Sequence, residues 1–359
     1  MSAVDIRRYL RPDFADLEEY TPVKPLDVLA AEIGVPVDQL VKLDANENLY
    51  GPIPEIRDAV SNADLHIYPD PGHEALRIAI ADYCGVRPEQ VVAGSGADDL
   101  IDILIRVTMP EAVVNLPPTF GMYGFLAKIS RARVIDVPRK PDFALDLPGI
   151  AAAVEQGAGI VFATSPNNPT GNPLSLDEVH ALCELDAIIA VDEAYIEFGG
   201  ETAIPLIAAH SNLVVLRTFS KWAGLAGLRV GYSISAAALA DTLMAVKQPY
   251  NVNVAGDVAA RAALEHRAQI FETVQCIVAE RDRLSKLLGE IGWLRPLPSA
   301  ANFLLCEVIG RPAADVAAAL RKQGVLVRYY DRAELRNYIR ISAGRPEDTD
   351  RLMAALANV

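Results

Sequence analysis

A chain of 359 residues, 51% of them apolar, is long enough to bury a large core and to divide into two domains. Its formal charge of -14 speaks against nucleic acid or an anionic membrane as a partner. No apolar run is long enough to span a bilayer and the start carries no signal-like or polybasic segment, so the expected location is cytoplasmic.

Residues 1–40 read as an N-terminal arm containing Tyr20-Thr21-Pro22. Strand and helix patterns alternate over 41–248, which predicts a large α/β domain with a mainly parallel sheet and helices on both faces. Within it, Val91-Val92-Ala93 reads as a strand that gives way to Gly94-Ser95-Gly96-Ala97-Asp98-Asp99 and then to the helical spacing Leu100, Ile101, Leu104, Ile105. Amides at such a helix start make an anion site. Asp98 and Asp99 suit the helix dipole and weigh against a large polyphosphate, leaving room for one monoester on the backbone of Gly96 and Ala97. An acid replaces the third glycine of a dinucleotide fingerprint, and no Walker lysine is present.

Residues 159–163 read as a buried strand running into Thr164-Ser165-Pro166-Asn167-Asn168-Pro169-Thr170-Gly171, a rigid turn whose asparagine amides can point at a ligand. The apolar run 187–191 ends in Asp192-Glu193-Ala194-Tyr195, at the carboxyl end of a strand, where ligands of open α/β sheets gather. A buried carboxylate needs a cation, and a protonated pyridine nitrogen would serve. The plainer alternatives are a helix cap for Asp192 and core packing for Tyr195.

The segment Arg217-Thr218-Phe219-Ser220-Lys221-Trp222, followed by Gly224-Leu225-Ala226-Gly227-Leu228-Arg229, joins a strand, a hydroxyl pair, one amine and a guanidinium. An amine that attacks a carbonyl must be desolvated or set near other cations. Thr218, Ser220 and Arg229 supply donors for a phosphate. The combination suits an aldehyde cofactor carrying a phosphate, although a solvated surface residue is the commoner fate of any one lysine. Trp222 reads as packing.

Residues 249–359 read as a small C-terminal domain, opened by a long helical stretch at 254–288 and holding strands at 302–306 and 325–328. Cys84, Cys183, Cys276 and Cys306 are widely spaced, which supports neither a disulfide framework nor a metal site. His66, His73, His180, His210 and His266 form no metal-binding motif, so surface or loop roles are expected and no metal is.

Ser165-Pro166-Asn167-Asn168-Pro169-Thr170-Gly171, Asp192-Glu193-Ala194-Tyr195 and Ser220-Lys221 with its glycine-rich sequel, in this order, resemble the fold type I, aspartate-aminotransferase-type pyridoxal phosphate enzymes. Within them the chain most resembles the histidinol-phosphate aminotransferase family. That likeness is carried by Lys42-Leu43-Asp44-Ala45-Asn46-Glu47-Asn48-Leu49-Tyr50-Gly51-Pro52, Tyr68-Pro69-Asp70-Pro71, Pro117-Pro118-Thr119-Phe120-Gly121-Met122-Tyr123 and Tyr338-Ile339-Arg340-Ile341-Ser342.

The resemblance implies pyridoxal 5'-phosphate as cofactor, Lys221 as Schiff-base lysine and proton shuttle, Asp192 on the pyridine nitrogen, and Tyr195 with Asn168 on the phenolic oxygen. It implies Gly96, Ala97, Asp98, Thr218, Ser220 and Arg229 around the phosphate, Phe120 stacked on the ring where the family usually has tyrosine, and Tyr68 reaching in from the second subunit of a homodimer. Substrate recognition falls to Tyr20, Asn302, Arg328 and Arg340, and the arm is expected to pack with the small domain. Leu49 stands where the family commonly has proline, which implies a looser loop. The implied reaction passes an amino group from glutamate to imidazole-acetol phosphate, a small-molecule donor and acceptor. An aromatic-amino-acid aminotransferase, a phosphothreonine-type decarboxylase and a non-catalytic binding protein of the same fold are the alternatives.

Overall fold

A computed structural model describes residues 5–16 and 24–359. Its larger sheet has seven strands: β2 (Val91–Gly94), β3 (Ala112–Asn115), β4 (Arg133–Asp136), β5 (Ala158–Thr164), β6 (Ile188–Asp192), β7 (Leu213–Thr218) and β8 (Gly231–Ser235). They lie in the order β2-β8-β7-β6-β5-β3-β4. β8 alone runs against its two neighbours, so the sheet is mainly parallel, as the alternating pattern predicts.

Strand periodicity sorts the side chains into two cores. Val161, Ala163, Ile189, Val191 and Val215 face one side, while Ile160, Phe162, Ala190, Val214 and Leu216 face the other. The second side is covered by the helix Ala97–Thr108, whose Leu100, Ile101, Leu104 and Ile105 are buried there. Burial on both faces is why these strands are continuous apolar runs, and why polar residues come only at their ends.

The smaller sheet combines β1 (Val41–Leu43) with β9 (Leu294–Pro296), β10 (Phe303–Val308), β11 (Val325–Tyr329) and β12 (Tyr338–Ser342), in the order β1-β11-β12-β10-β9. Two expected boundaries therefore move. β1 pairs in parallel with β11, Val41 opposite Val325, so residues 41–43 belong to the small unit rather than opening the large one. At the other end, the helix Val254–Glu265 packs on helices Pro54–Ser61 and Glu74–Cys84, and buries Ala259, Ala260, Ala263 and Leu264 in the larger core. The large unit thus runs past residue 249.

The helical stretch expected at 254–288 is two helices, Val254–Glu265 and Arg267–Gly289, with His266 between them. The second is shared. Ile270, Val274 and Ile277 enter the large core, whereas Leu284 and Leu288 enter the small one.

The arm also divides. Glu32 pairs with Arg321 at 2.6 Å, which ties the helix Leu26–Ile33 to the small unit. Arg11, however, donates to the Ile129 carbonyl of the large unit at 2.5 Å. Tyr20 lies outside the described residues.

Candidate active site

The carboxyl ends of β2, β5, β6 and β7 bring Gly96, Asn168, Asp192, Thr218, Ser220 and Lys221 to one edge of the large sheet. Asp192 is buried, and its Oδ1 and Oδ2 accept from the Ala194 amide at 3.0 Å and the Tyr123 hydroxyl at 2.6 Å. Burial raises its acid to about 6. Among the described residues no lysine, arginine or histidine forms an ion pair with it. A buried carboxylate held only by neutral donors is the partner a protonated ring nitrogen requires.

Tyr123 is the site residue that sequence reasoning left without a role. Its ring stacks on Phe162 with centroids 4.9 Å apart, Phe120 meets it edge-on at 5.6 Å, and its hydroxyl lies 2.9 Å from Thr164 Oγ1. Directly below Asp192, Glu193 takes the Arg217 guanidinium on Oε2 at 2.8 Å and 2.9 Å, with the Ala203 amide on Oε1 at 2.6 Å. This buried pair fixes the end of β6 to the end of β7, and so sets Asp192 relative to Thr218 and the residues beyond it.

Lys221 follows β7. Its Nζ donates to the Ala45 carbonyl at 3.3 Å and lies 5.7 Å from the centroid of the Tyr195 ring. Burial, with Arg340 as a neighbouring like charge, brings its amine down to about 8. Trp222 is fully buried and stacks on Tyr83 and Phe271, a packing residue as expected.

Tyr195 accepts from Asn46 Nδ2 at 3.1 Å, which leaves its own proton for another acceptor; burial raises its hydroxyl to about 12. Asn46 is fixed in turn by Ser342 and by Asn302, whose Nδ2 donates to the Asn46 carbonyl at 3.1 Å. Asn46 was likewise without a role in the sequence. At Leu49, where a looser loop is expected, the turn is closed by Asn48, which accepts from the Tyr50 amide at 3.1 Å, and Leu49 packs against the small core.

Arg340 of β12 is buried. It donates from Nη1 to Asn168 Oδ1 at 2.6 Å and from Nη2 to the Asp44 carbonyl at 2.5 Å, while its Nε has no partner among the described residues. Because Arg340 can only donate, it fixes Oδ1 as the acceptor of this contact and leaves Nδ2 as the donor end of the Asn168 amide. Arg328 lies opposite Arg340 in the β11–β12 register, which sets both side chains on one face of the small sheet. Both guanidinium groups approach the Tyr330 ring, the Arg328 carbon 5.5 Å and the Arg340 carbon 5.8 Å from its centroid.

The helix Ala97–Thr108 starts at Gly96 with no side-chain cap, so first-turn amides remain for an anion. Gly96 has φ +81°, and a Cβ there would meet the Arg229 guanidinium at 2.6 Å. A Cβ on Gly231 would meet the Ala97 nitrogen at 2.6 Å. Both glycines keep this cradle open. The Asp98 carboxylate accepts from Arg229 at 2.7 Å, so it orients the cation and only its amide remains for a phosphate. Thr218 Oγ1 lies 2.9 Å from Ser220 Oγ and accepts from the Ser220 amide at 3.1 Å. Tyr68 is 78% exposed and stacks on Tyr250 at 4.6 Å.

An anion cradle, an amine near neutrality and a buried carboxylate without a cation fit pyridoxal phosphate in each of its three reactive parts. Residues 38–356 match the family model for class I and II aminotransferases. A histidinol-phosphate aminotransferase of Roseiflexus castenholzii is 47% identical, covering 98% of each chain. Histidinol-phosphate aminotransferase 1, chloroplastic, of Arabidopsis thaliana is 46% identical over 97% of this chain and 85% of its own. The crystal structure of the Sinorhizobium meliloti histidinol-phosphate aminotransferase with pyridoxal-5'-phosphate superposes with a TM-score of 0.87 at 28% identity, covering 99% of this chain and 98% of that one.

Proposed function

The chain belongs to the class I and II aminotransferases, and from that membership we propose that it transfers an amino group between glutamate and imidazole-acetol phosphate, forming 2-oxoglutarate and L-histidinol phosphate in histidine biosynthesis. The observation that carries this reading is the meeting of Lys221 and Asp192 at one strand edge beneath Arg340, a reacting amine and a ring-polarising acid under an anion clamp.

Bound in this site, pyridoxal phosphate supplies a carbonyl carbon and an electron-withdrawing ring. Lys221 Nζ then has two duties, holding the cofactor and carrying a proton at its free amine, for which a pKa brought near neutrality is suited. Asp192 keeps negative charge against the ring nitrogen, and Tyr123 keeps Asp192 in place. Tyr195 and the Nδ2 of Asn168 donate to the ring oxygen. First-turn amides, Thr218, Ser220 and Arg229 hold the phosphate of the cofactor. Arg340 takes the carboxylate of glutamate, and with Arg328 the phosphate of the second substrate, since two guanidinium forks suit either anion.

We assign Tyr68 to the pocket of a second copy in a homodimer, supported by its exposure on the surface that carries Leu65, Ile67 and Tyr250. A cytoplasmic setting fits a protein whose described helices include none long and apolar enough to cross a membrane.

Steady-state assays with L-histidinol phosphate, L-phenylalanine and L-aspartate as amino donors to 2-oxoglutarate test the specificity. A preference for histidinol phosphate of at least about 100-fold in kcat/KM is expected from a second anion contact. Equal use of phenylalanine would transfer the chain to the aromatic aminotransferases.

A further inference from the structure

Away from the site, the amino ends of β6 and β7 carry a second cluster. His180 lies in the helix Leu176–Cys183, and Glu184 caps that helix four residues on, the spacing that stacks two side chains on one helix face. His210 follows the turn Ile204–Ala208 and precedes β7. His180 Nδ1 is 2.8 Å from His210 Nε2, the rings are 4.8 Å apart at 61°, and Glu184 Oε1 is 4.0 Å from His210 Nδ1. One ligand atom from each residue lies within 4.8 Å of those from the other two.

We propose that His180, Glu184 and His210 form a binding site for one divalent transition-metal ion of the zinc type. Two imidazole nitrogens at 2.8 Å share a single proton, so one ring offers a lone pair to the other. Around a tetrahedral zinc with bonds of ~2.0–2.1 Å, two nitrogens stand about 3.3 Å apart, so a small opening of this contact puts an ion where the proton was. The Glu184 side chain, 66% exposed, is able to turn toward it, while the His210 side chain is only 10% exposed and held by its surroundings.

The frame around the cluster is tied by hydrogen bonds. Asn212 Nδ2 donates to the carbonyls of Cys183 and Ala187, at 3.0 Å and 2.9 Å, tying the strand after His210 to the segment around Glu184. Two imidazoles and one carboxylate select zinc, cobalt or nickel over magnesium or calcium, and solvent completes the fourth position. The ion would clamp the helix end to the start of β7. Lys221 follows the other end of that strand, so occupancy acts on stability and leaves turnover unchanged.

The test uses the untagged, cofactor-loaded chain, stripped by a chelator and titrated with Zn²⁺ and with Co²⁺ near neutral pH. Expected are one ion per chain, a visible Co²⁺ ligand-field spectrum of tetrahedral intensity, and a rise in Tm with Zn²⁺. Binding should weaken at least about tenfold in His180→Ala and in His210→Ala, and also in Glu184→Gln, each with the turnover of the parent. Absence of stoichiometric binding at 100-fold molar excess of Zn²⁺, or undiminished binding in the His180→Ala/His210→Ala double variant, would overturn the proposal.

Discussion

The two sides of the pocket are built differently. On the large-sheet side, Asp192, Thr218 and Ser220 are buried at strand ends, and each is fixed by hydrogen bonds from residues that are themselves buried. On the small-sheet side, Arg340 is buried but spans three elements, with partners in the 165–171 turn and in the segment after β1, and Arg328 beside it is half-buried. On the proposed reading, the first arrangement would hold charge in one place for the chemistry, and the second would let two cations meet differently shaped anions. Substitutions on the first side should therefore lower turnover for every substrate, and those on the second should act mainly on KM.

The hardest break is Lys221→Ala, which should lower kcat at least about 10⁴-fold with both glutamate and histidinol phosphate as donors while the chain still binds cofactor, as read from stopped-flow rates and absorbance. Asp192→Asn should lower kcat about 10²–10³-fold, again for both donors. Its effect on stability has the opposite sign. The acid is raised from 3.8 to about 6 on folding, so the unfolded chain loses its proton first and stability falls as pH rises through that interval. The cofactor-free asparagine variant, uncharged at every pH, should lose this fall in stability between about pH 4 and pH 7, as read from denaturant melts.

Arg340→Lys sharpens the contrast. It should raise KM for glutamate and histidinol phosphate by roughly 10–100-fold, with a smaller fall in kcat, because one ammonium cannot keep the forked contacts to Asn168 and Asp44 and also grip an anion. The smallest effect belongs to Tyr123→Phe, which removes one donor from Asp192: about tenfold in kcat and about 1–3 kcal/mol in stability. If Arg340→Lys lowered kcat alone for both donors, the division between the two sides would fail.

Much of this was readable along the chain. β2, β5, β6 and β7 are short apolar runs, and the residues proposed for the chemistry come where each run stops, so Gly96, Asn168, Asp192 and Lys221 stand out locally. Tyr123 and Asn46 did not, although both lie in legible motifs, because their partners are 69 and 149 residues away and only folding brings them together. The same holds for Glu193 with Arg217 and for His180 with His210, pairs whose meaning is set by strand order. Boundaries failed for a related reason. A three-residue strand such as β1 has too short a pattern to declare which sheet it joins, and a helix at 254–265 looks alike on either side of a domain border.

The helix Arg267–Gly289 keeps its first half in one core and its last turns in the other. Cutting the chain ahead of it would strip the larger half of Ile270, Val274 and Ile277, and leave the smaller half carrying an oily rod with nothing to cover it. Neither fragment is a viable module. Heat or denaturant should therefore melt the protein in one cooperative step, and proteases should find no clean cleavage point that releases two folded pieces.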